Sequence, residues 1–455
     1  MNRLAPVLAS LALILLGAHA LRLGRPGVSA ACLGLLVLAW RSEGGRKGEP
    51  GRGASWVRWA LLAVLAVGAV VWTQTAADLI RFRLDAGLPW FRLAAIMSGV
   101  CLLNLCALAV LLAAPGRRRY SGDAEYGFFR AAIFLLVAAL LFVSEIKTPF
   151  PILLLERYLP GWGGLEIFAL ALYAQWVAGR MIAPRAARKI RPRIWGLFSV
   201  VFFLQLGLGL LGLDRMLMTG TLHLPVPALI VGGPIFRAGG WFMLILYLST
   251  VLLVGPAWCS HLCYVGAWDD AASRLGPKRP VSGFLDRRFL GLRITFLARA
   301  ATLVLTVAVA LGLRLAGVPG LTAVWAAAAF GLGGVAAMGL LSRRSGSMVH
   351  CSAYCPIGLV GNLLGRLLPW RVRMNGQCTR CGVCATACRY GALLPEDIEA
   401  GRPGLSCTLC GDCVGVCAHG AMGYRFPGLR ADTARLTFLA LVVTLHAVFL
   451  GVARV

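Results

Sequence analysis

The sequence predicts an all-α polytopic membrane protein with one small polar α+β module set into its last third. Three observations carry that expectation. Apolar windows close to bilayer-spanning length recur along the chain, basic residues gather in alternate loops, and the one long polar segment, 370–430, holds eight of the fifteen cysteines. Of 455 residues, 59% are apolar and 14% charged. A water-soluble chain of this length would break into domains joined by polar linkers.

Windows able to cross a bilayer fall near 4–21, 26–40, 56–80, 90–114, 128–146, 162–183, 195–213, 240–257, 293–314, 320–342 and 432–453, about eleven helices in all. The first ends in "AHA" and is read as a retained helix rather than a cleaved signal. With the N-terminus inside, most of the 45 Lys and Arg lie in inner loops such as "PGRRRY" (115–120) and "APRAARKIRPR" (183–193). Basic loops stay cytoplasmic. The expected location is therefore a bacterial cytoplasmic (inner) membrane, with the N-terminus and polar module cytoplasmic and the C-terminus outside. Dispersed charge of this kind touches anionic lipid headgroups. It does not form the single basic face that nucleic-acid binding requires, so the net charge of +27 points to no nucleic-acid partner.

The polar segment holds two cysteine runs. "CTRCGVCATAC" supplies Cys378, Cys381, Cys384 and Cys388, and "CTLCGDCVGVC" supplies Cys407, Cys410, Cys413 and Cys417. Both read C-x2-C-x2-C-x3-C, the spacing of bacterial ferredoxins with two [4Fe–4S] clusters, in which the fourth cysteine of each run serves the other cluster. The expected ligand sets are Cys378, Cys381, Cys384 and Cys417, and Cys407, Cys410, Cys413 and Cys388. Zinc would want two separated pairs per site, and disulfides do not suit a cytoplasmic loop. The Pro that usually follows the fourth cysteine is replaced by Arg389 and Ala418.

Four further cysteines form two matching motifs, "CSHLCYVG" with Cys259 and Cys263, and "CSAYCPIG" with Cys351 and Cys355. Each follows a membrane helix, and the segments 195–270 and 293–365 read as repeated hairpins. Two helices separate the motifs, so both emerge on the face that receives the polar module. On a regular helix the two Cβ atoms of one motif lie about 5–6 Å apart, beyond the 3.5–4.5 Å or so of a disulfide. Three readings stay open for the four thiols: a shared metal or third-cluster site, a redox-active thiol system, or inert packing. His261 and His350 beside them read as solvated interfacial histidines. Cys32, Cys101 and Cys106 read as packing residues.

Hydrophobic hairpins ending in C-x3-C-P, followed by a two-cluster ferredoxin module and a terminal helix, resemble the NosR/NapH-type membrane polyferredoxins and their CcoG-like relatives over residues 195–455. Tyr264 stands where the first motif of that family carries Pro, whereas Pro356 matches. The resemblance implies electron transfer between the quinone pool and a redox protein partner, or support for assembling a metalloenzyme. No counterpart of a large outer flavin domain is present.

Four segments organise the chain: a membrane module over 1–183, a redox core over 184–369, the ferredoxin module over 370–430 and a terminal helix over 431–455. The expected function is membrane-bound iron–sulfur electron transfer between quinone or quinol and two cytoplasmic-side clusters. The alternatives are metal handling or metalloenzyme maturation through the paired thiols, and redox sensing or transport. No nucleophile–base pair is legible, which points to an electron-transfer subunit rather than a self-contained enzyme. His19 and His446 offer a speculative haem pair, given little weight because lone membrane histidines more often hydrogen-bond. Glu145, Glu156 and Glu166 read as interfacial carboxylates able to handle quinol protons or form salt bridges. The Gly- and Pro-broken stretch 220–241 carries His223 and Arg237, and 356–370 reads as an amphipathic helix docking the module through a leucine face.

Overall fold

The computed structural model of the chain describes residues 126–452, apart from 149, 217–223, 278–287 and 290. The expected helices near 4–21, 26–40, 56–80 and 90–114 lie outside the described residues, as do His19, Cys32, Cys101, Cys106 and His223. The chain divides into two compact units, Met1–Trp176 and Val177–Val455.

In the first unit, α1 (Gly127–Lys147) and the short α2 (Leu154–Tyr158) precede α3 (Gly163–Met181). Helix starts leave backbone N–H groups without intrahelical partners, and three carboxylates supply acceptors for them. Glu145 accepts from Ile152 and Leu153, both at 3.1 Å. Glu156 accepts from Gly161 and Gly163 at 2.7 and 2.6 Å, and Glu166 from Leu155 at 2.7 Å. Tying down this turn is the role that the geometry gives them.

The second unit contains two similar halves. In the first, α4 (Pro184–Leu210) is followed by α5 (Leu229–Arg237), then α6 (Phe242–Val254). The helical path continues through a 3-10 turn at Gly255–Ala257 and a π-turn at Trp258–Leu262, and α7 (Tyr264–Arg274) closes the half. A two-residue ribbon, β1 (Arg288–Phe289) with β2 (Leu292–Arg293), leads into the second half. There α8 (Ile294–Leu315) and α9 (Gly320–Ala336) precede a π-turn at His350–Tyr354 and α10 (Pro356–Leu367). The stretch 220–241 contributes α5, which packs on α8: a Cβ at Gly232 would stand 3.2 Å from Thr306 Cγ2.

Each of the seven helices expected beyond residue 126 is present. Six stretches among the described residues are long and apolar enough to cross a membrane: Phe129–Ile146, Pro184–Leu210, Phe242–Leu262, Ile294–Leu315, Gly320–Ser345 and Ala431–Val452. These fit a multi-pass membrane protein. The helix Gly163–Met181 is not among them.

The polar module adds one antiparallel ribbon, β3 (Arg371–Met374) with β4 (Met422–Arg425), paired Arg371 to Arg425 through Met374 to Met422. Between the strands lie α11 (Val383–Ala387), α12 (Pro395–Glu399) and α13 (Asp412–Val416); α11 packs on α13. Helix α14 (Ala431–Val452) follows, and its Phe438 and Val442 share a core with Val372, Leu409 and Tyr424 of the module and Val254 of α6.

Named bonds fix the module to the membrane helices. Trp370 Nε1 donates to the Leu253 carbonyl at 2.9 Å, and Arg389 Nη1 to the carbonyls of Ser273 and Gly346 at 2.7 and 2.8 Å. Arg293 bonds Asp397 at 2.6 Å. Arg191, only 1% exposed, bonds Asp412 of α13 at 2.8 Å, Asp270 of α7 at 3.5 Å and the Ser260 carbonyl at 3.2 Å. It joins one membrane helix, one repeat motif and the module. Helix α10 packs part of the leucine face expected of it: Leu359 is buried and Val360, Leu364 and Leu368 pack against the core, whereas Leu363 and Leu367 are 42% and 83% exposed. Its packed face carries Gly358, Gly361 and Gly365, because small residues let helices approach closely. Cβ atoms at Gly361 and Gly365 would meet Tyr247 Oη at 2.6 Å and Pro256 Cδ at 2.7 Å.

Replacing Arg191 with Met should therefore cost about 3–5 kcal/mol, because it strips the buried Asp412 of its 2.8 Å partner; denaturation of the detergent-solubilised protein reads this. Gly266→Ala places a Cβ 2.6 Å from Trp195 Cζ2. It should destabilise by about 1–3 kcal/mol, seen as a lower melting temperature.

Candidate metal centre

The two repeat motifs adopt the same local structure. In each, a π-turn starts one residue before the first cysteine, and the second cysteine leaves the turn in an extended conformation as the N-cap of the following helix. Cys263 has φ −79°, ψ 112° and Cys355 φ −73°, ψ 116°. The i to i+5 bonds that define the turns run from Cys263 N–H to the Trp258 carbonyl (3.0 Å) and from Cys355 N–H to the His350 carbonyl (2.7 Å). The repeated glycine now has a reason: a Cβ at Gly266 or Gly358 would stand 3.0 Å from the carbonyl oxygen of Cys259 or Cys351. Tyr264 and Pro356 both open a helix at its first position, where Pro is tolerated but not required. Tyr264 stacks on Phe202 with ring centroids 3.8 Å apart.

These turns bring the four thiols of Cys259, Cys263, Cys351 and Cys355 together, each within electrostatic reach of the other three. Burial pushes the Cys263 thiol up to about 12, opposed by the N–H groups of Gly266 and Val265 at the start of α7. Asp269, fully buried, accepts from Cys351 N–H at 2.9 Å and Ser342 Oγ at 2.6 Å. His261 and His350 are 4% and 5% exposed, not solvated as the sequence suggested, because the π-turns fold them inward. Ser260 Oγ lies 2.9 Å from His261 Nδ1. Burial holds His350 down to about 4, so it is neutral at physiological pH.

In the module, Cys388, Cys407, Cys410 and Cys413 are each within electrostatic reach of the other three. They line one small cavity with Val372, Tyr390 and Leu409. Cys388 comes from the first run and joins three cysteines of the second, the crossed arrangement expected from the spacing. Burial pushes Cys388, Cys407 and Cys410 each up to about 12. Four thiols around one apolar cavity suit a [4Fe–4S] cluster, whose iron would supply the deprotonation that burial opposes.

Of the other set, Cys384 is within electrostatic reach of Cys378 and Cys381, and Cys384 and Cys417 pack against the same core. Cys381 is exposed, with its thiol shifted down by the Val383 N–H and the Thr379 hydroxyl. Among the described residues, no three His, Cys, Asp or Glu side chains close on a single ion. A lone ion draws thiolates to about 2.3 Å, whereas a cubane holds each at a separate corner.

Tyr390 connects the thiol groups. It is buried, its hydroxyl donates to the Cys259 carbonyl at 3.3 Å, and it packs with Trp195, Ala267 and Met348 against Cys351, Cys388 and Cys410. Sequence reasoning missed Tyr390, Arg191, Asp269, Asp412 and Arg299. Arg299 carried the clearest signal, because an ionisable residue inside an apolar span is a functional candidate by default. His446, fully buried in α14, packs edge-on to Phe198 at 5.8 Å and lies within electrostatic reach of His261. Its expected haem partner His19 is outside the described residues.

A family model described as a 4Fe-4S binding domain matches residues 238–282 and 324–375. The two pieces carry one repeat motif each, and stop short of the runs at 378–417. The chain matches none of the curated proteins and none of the solved structures. Taken with the cysteine sets, the match supports an iron–sulfur protein built on apolar helices.

In metal-free protein at pH 8, Cys381 should react first with iodoacetamide. A thiol held near 12 is thiolate in only about one part in ten thousand at that pH, so Cys388, Cys407 and Cys410 should label far more slowly than Cys381; mass spectrometry of the alkylated peptides gives the order. The reactivity of those three should rise only at strongly alkaline pH.

Proposed function

We propose that the protein is an electron-transfer subunit of a bacterial cytoplasmic membrane, linking the quinone pool or a membrane redox partner to [4Fe–4S] clusters on the cytoplasmic side. Cys378, Cys381, Cys384 and Cys417 would hold one cluster, and Cys407, Cys410, Cys413 and Cys388 a second. Such clusters, when bound, supply one-electron storage and transfer. The observation that carries the reading is continuity: the thiols at the ends of the membrane hairpins join the cavity thiols through Tyr390, and the chain of cysteines ends at an exposed one, Cys381.

The protein's own groups supply insulation and position. Leu409, Val372 and Tyr424 shield the inner cavity from water. Arg191 holds Asp412, which stands between Cys410 and Cys413, against the membrane core. The exposed end offers a protein partner access, and the apolar helices offer a site for quinol. A second reading, metal handling in the maturation of another enzyme, is favoured by the convergence of Cys259, Cys263, Cys351 and Cys355.

Anaerobically purified protein treated with a reduced quinol should develop the EPR signal of reduced clusters, and Tyr390→Leu should slow that reduction by about tenfold or more. Clusters that form but never exchange electrons with quinol or a protein partner would overturn the electron-transfer reading in favour of metal handling.

A further inference from the structure

Arg299 lies six residues into the membrane-crossing helix α8, and is 1% exposed. Its Nη1 donates to Asn362 Oδ1 at 2.7 Å and its Nε to the Thr295 carbonyl at 3.4 Å. Among the described residues no carboxylate pairs with it; its electrostatic partners are Cys259, Cys355 and Cys351. A buried charge needs an opposite charge, and four protonated thiols provide none. The N-termini of α7 and α10, eleven and twelve residues long, add positive potential from Cys263 and Cys355. Asp269 is the one acidic group beside the set. It is bonded to Cys351 N–H and Ser342, not to the guanidinium.

We propose that Cys259, Cys263, Cys351 and Cys355 hold a third [4Fe–4S] cluster and that Arg299 is its counter-charge. The proposal rests on the electron-transfer reading above and names the occupant of the motif thiols. Ligation by four thiols releases four protons and leaves a thiolate-bound cluster that is anionic in both oxidation states, which answers the cationic surroundings. A disulfide or free thiols would be neutral. The matched 4Fe-4S binding domain falls on these hairpins, one motif per piece. Asn362 extends the link, since its Nδ2 donates to the Cys407 carbonyl at 3.1 Å and so couples Arg299 to the second set.

Iron and sulfide should be measured on full-length protein purified and reconstituted anaerobically, beside a Cys259→Ser/Cys351→Ser variant. Wild type should hold about twelve iron atoms and the variant about eight, at four per cluster. Equal iron in the two proteins overturns the third cluster, whereas a difference of about four with fewer than eight left in the variant upholds it and overturns the two-cluster module instead. A redox titration followed by EPR tests the counter-charge. Arg299→Met should shift the signal that the double variant lacks to lower potential, because the reduced form is the more anionic, and Arg299→Lys should restore most of the shift. A Lys variant displaced as far as the Met variant, or no shift in either, overturns the role of Arg299. Should Arg299→Met fail to accumulate, Arg299→Lys is decisive: it should retain all the iron and stay near the wild-type potential.

Discussion

The buried guanidinium of Arg191 is the contact on which the assembly of the second unit depends. It sits where three pieces of chain must meet: the basic start of a membrane helix, the carbonyl of Ser260 between two motif cysteines, and Asp412 between two cavity cysteines. A planar fork of five donors serves several acceptors at once in fixed directions, which the three rotating donors of an ammonium do not match. Burial costs the arginine its hydration, and only simultaneous pairing with Asp412 and Asp270 offsets that cost. The cysteine sets are thus held at fixed separations by an interaction that is polar, dry and geometrically demanding.

Around this pin, charge is arranged in layers. Basic residues that read in sequence only as topology signals divide into exposed ones and a few buried ones with specific partners. Arg293 clamps Asp397 of the module, and Arg389 caps carbonyls at the ends of two separate segments. Arg389 occupies the place where related cysteine runs carry Pro. The loop loses the stiffness of proline there and gains two hydrogen bonds to Ser273 and Gly346, so local rigidity is replaced by tertiary anchoring.

The local features were legible in the sequence because they depend on near neighbours. Hydropathy located the helices beyond residue 126, and cysteine spacing pointed to the crossed set of Cys388 with Cys407, Cys410 and Cys413. The match between "CSHLC" and "CSAYC" anticipated two turns of like geometry. The rest required the third dimension. Nothing in the spacing announces a π-turn, whose extra residue per turn arises from packing. The leucines of 356–370 marked the packed face only in part, because a hydropathy pattern does not distinguish lipid from protein as the partner of an apolar side chain; the glycines at 358, 361 and 365 mark the close approaches. His261 and His350 looked interfacial because they stand at the ends of apolar runs, yet the turns bury them.

The likeness of the two π-turn motifs divides the thiol group into two halves. Each hairpin supplies one pair of thiols, one glycine against a cysteine carbonyl and one helix start. Because both halves lie in one chain, they need not be identical: Pro356 opens one helix, and Tyr264, stacked on Phe202, opens the other. Like turns with unlike walls give the group an asymmetry that two identical chains related by a two-fold axis could not have.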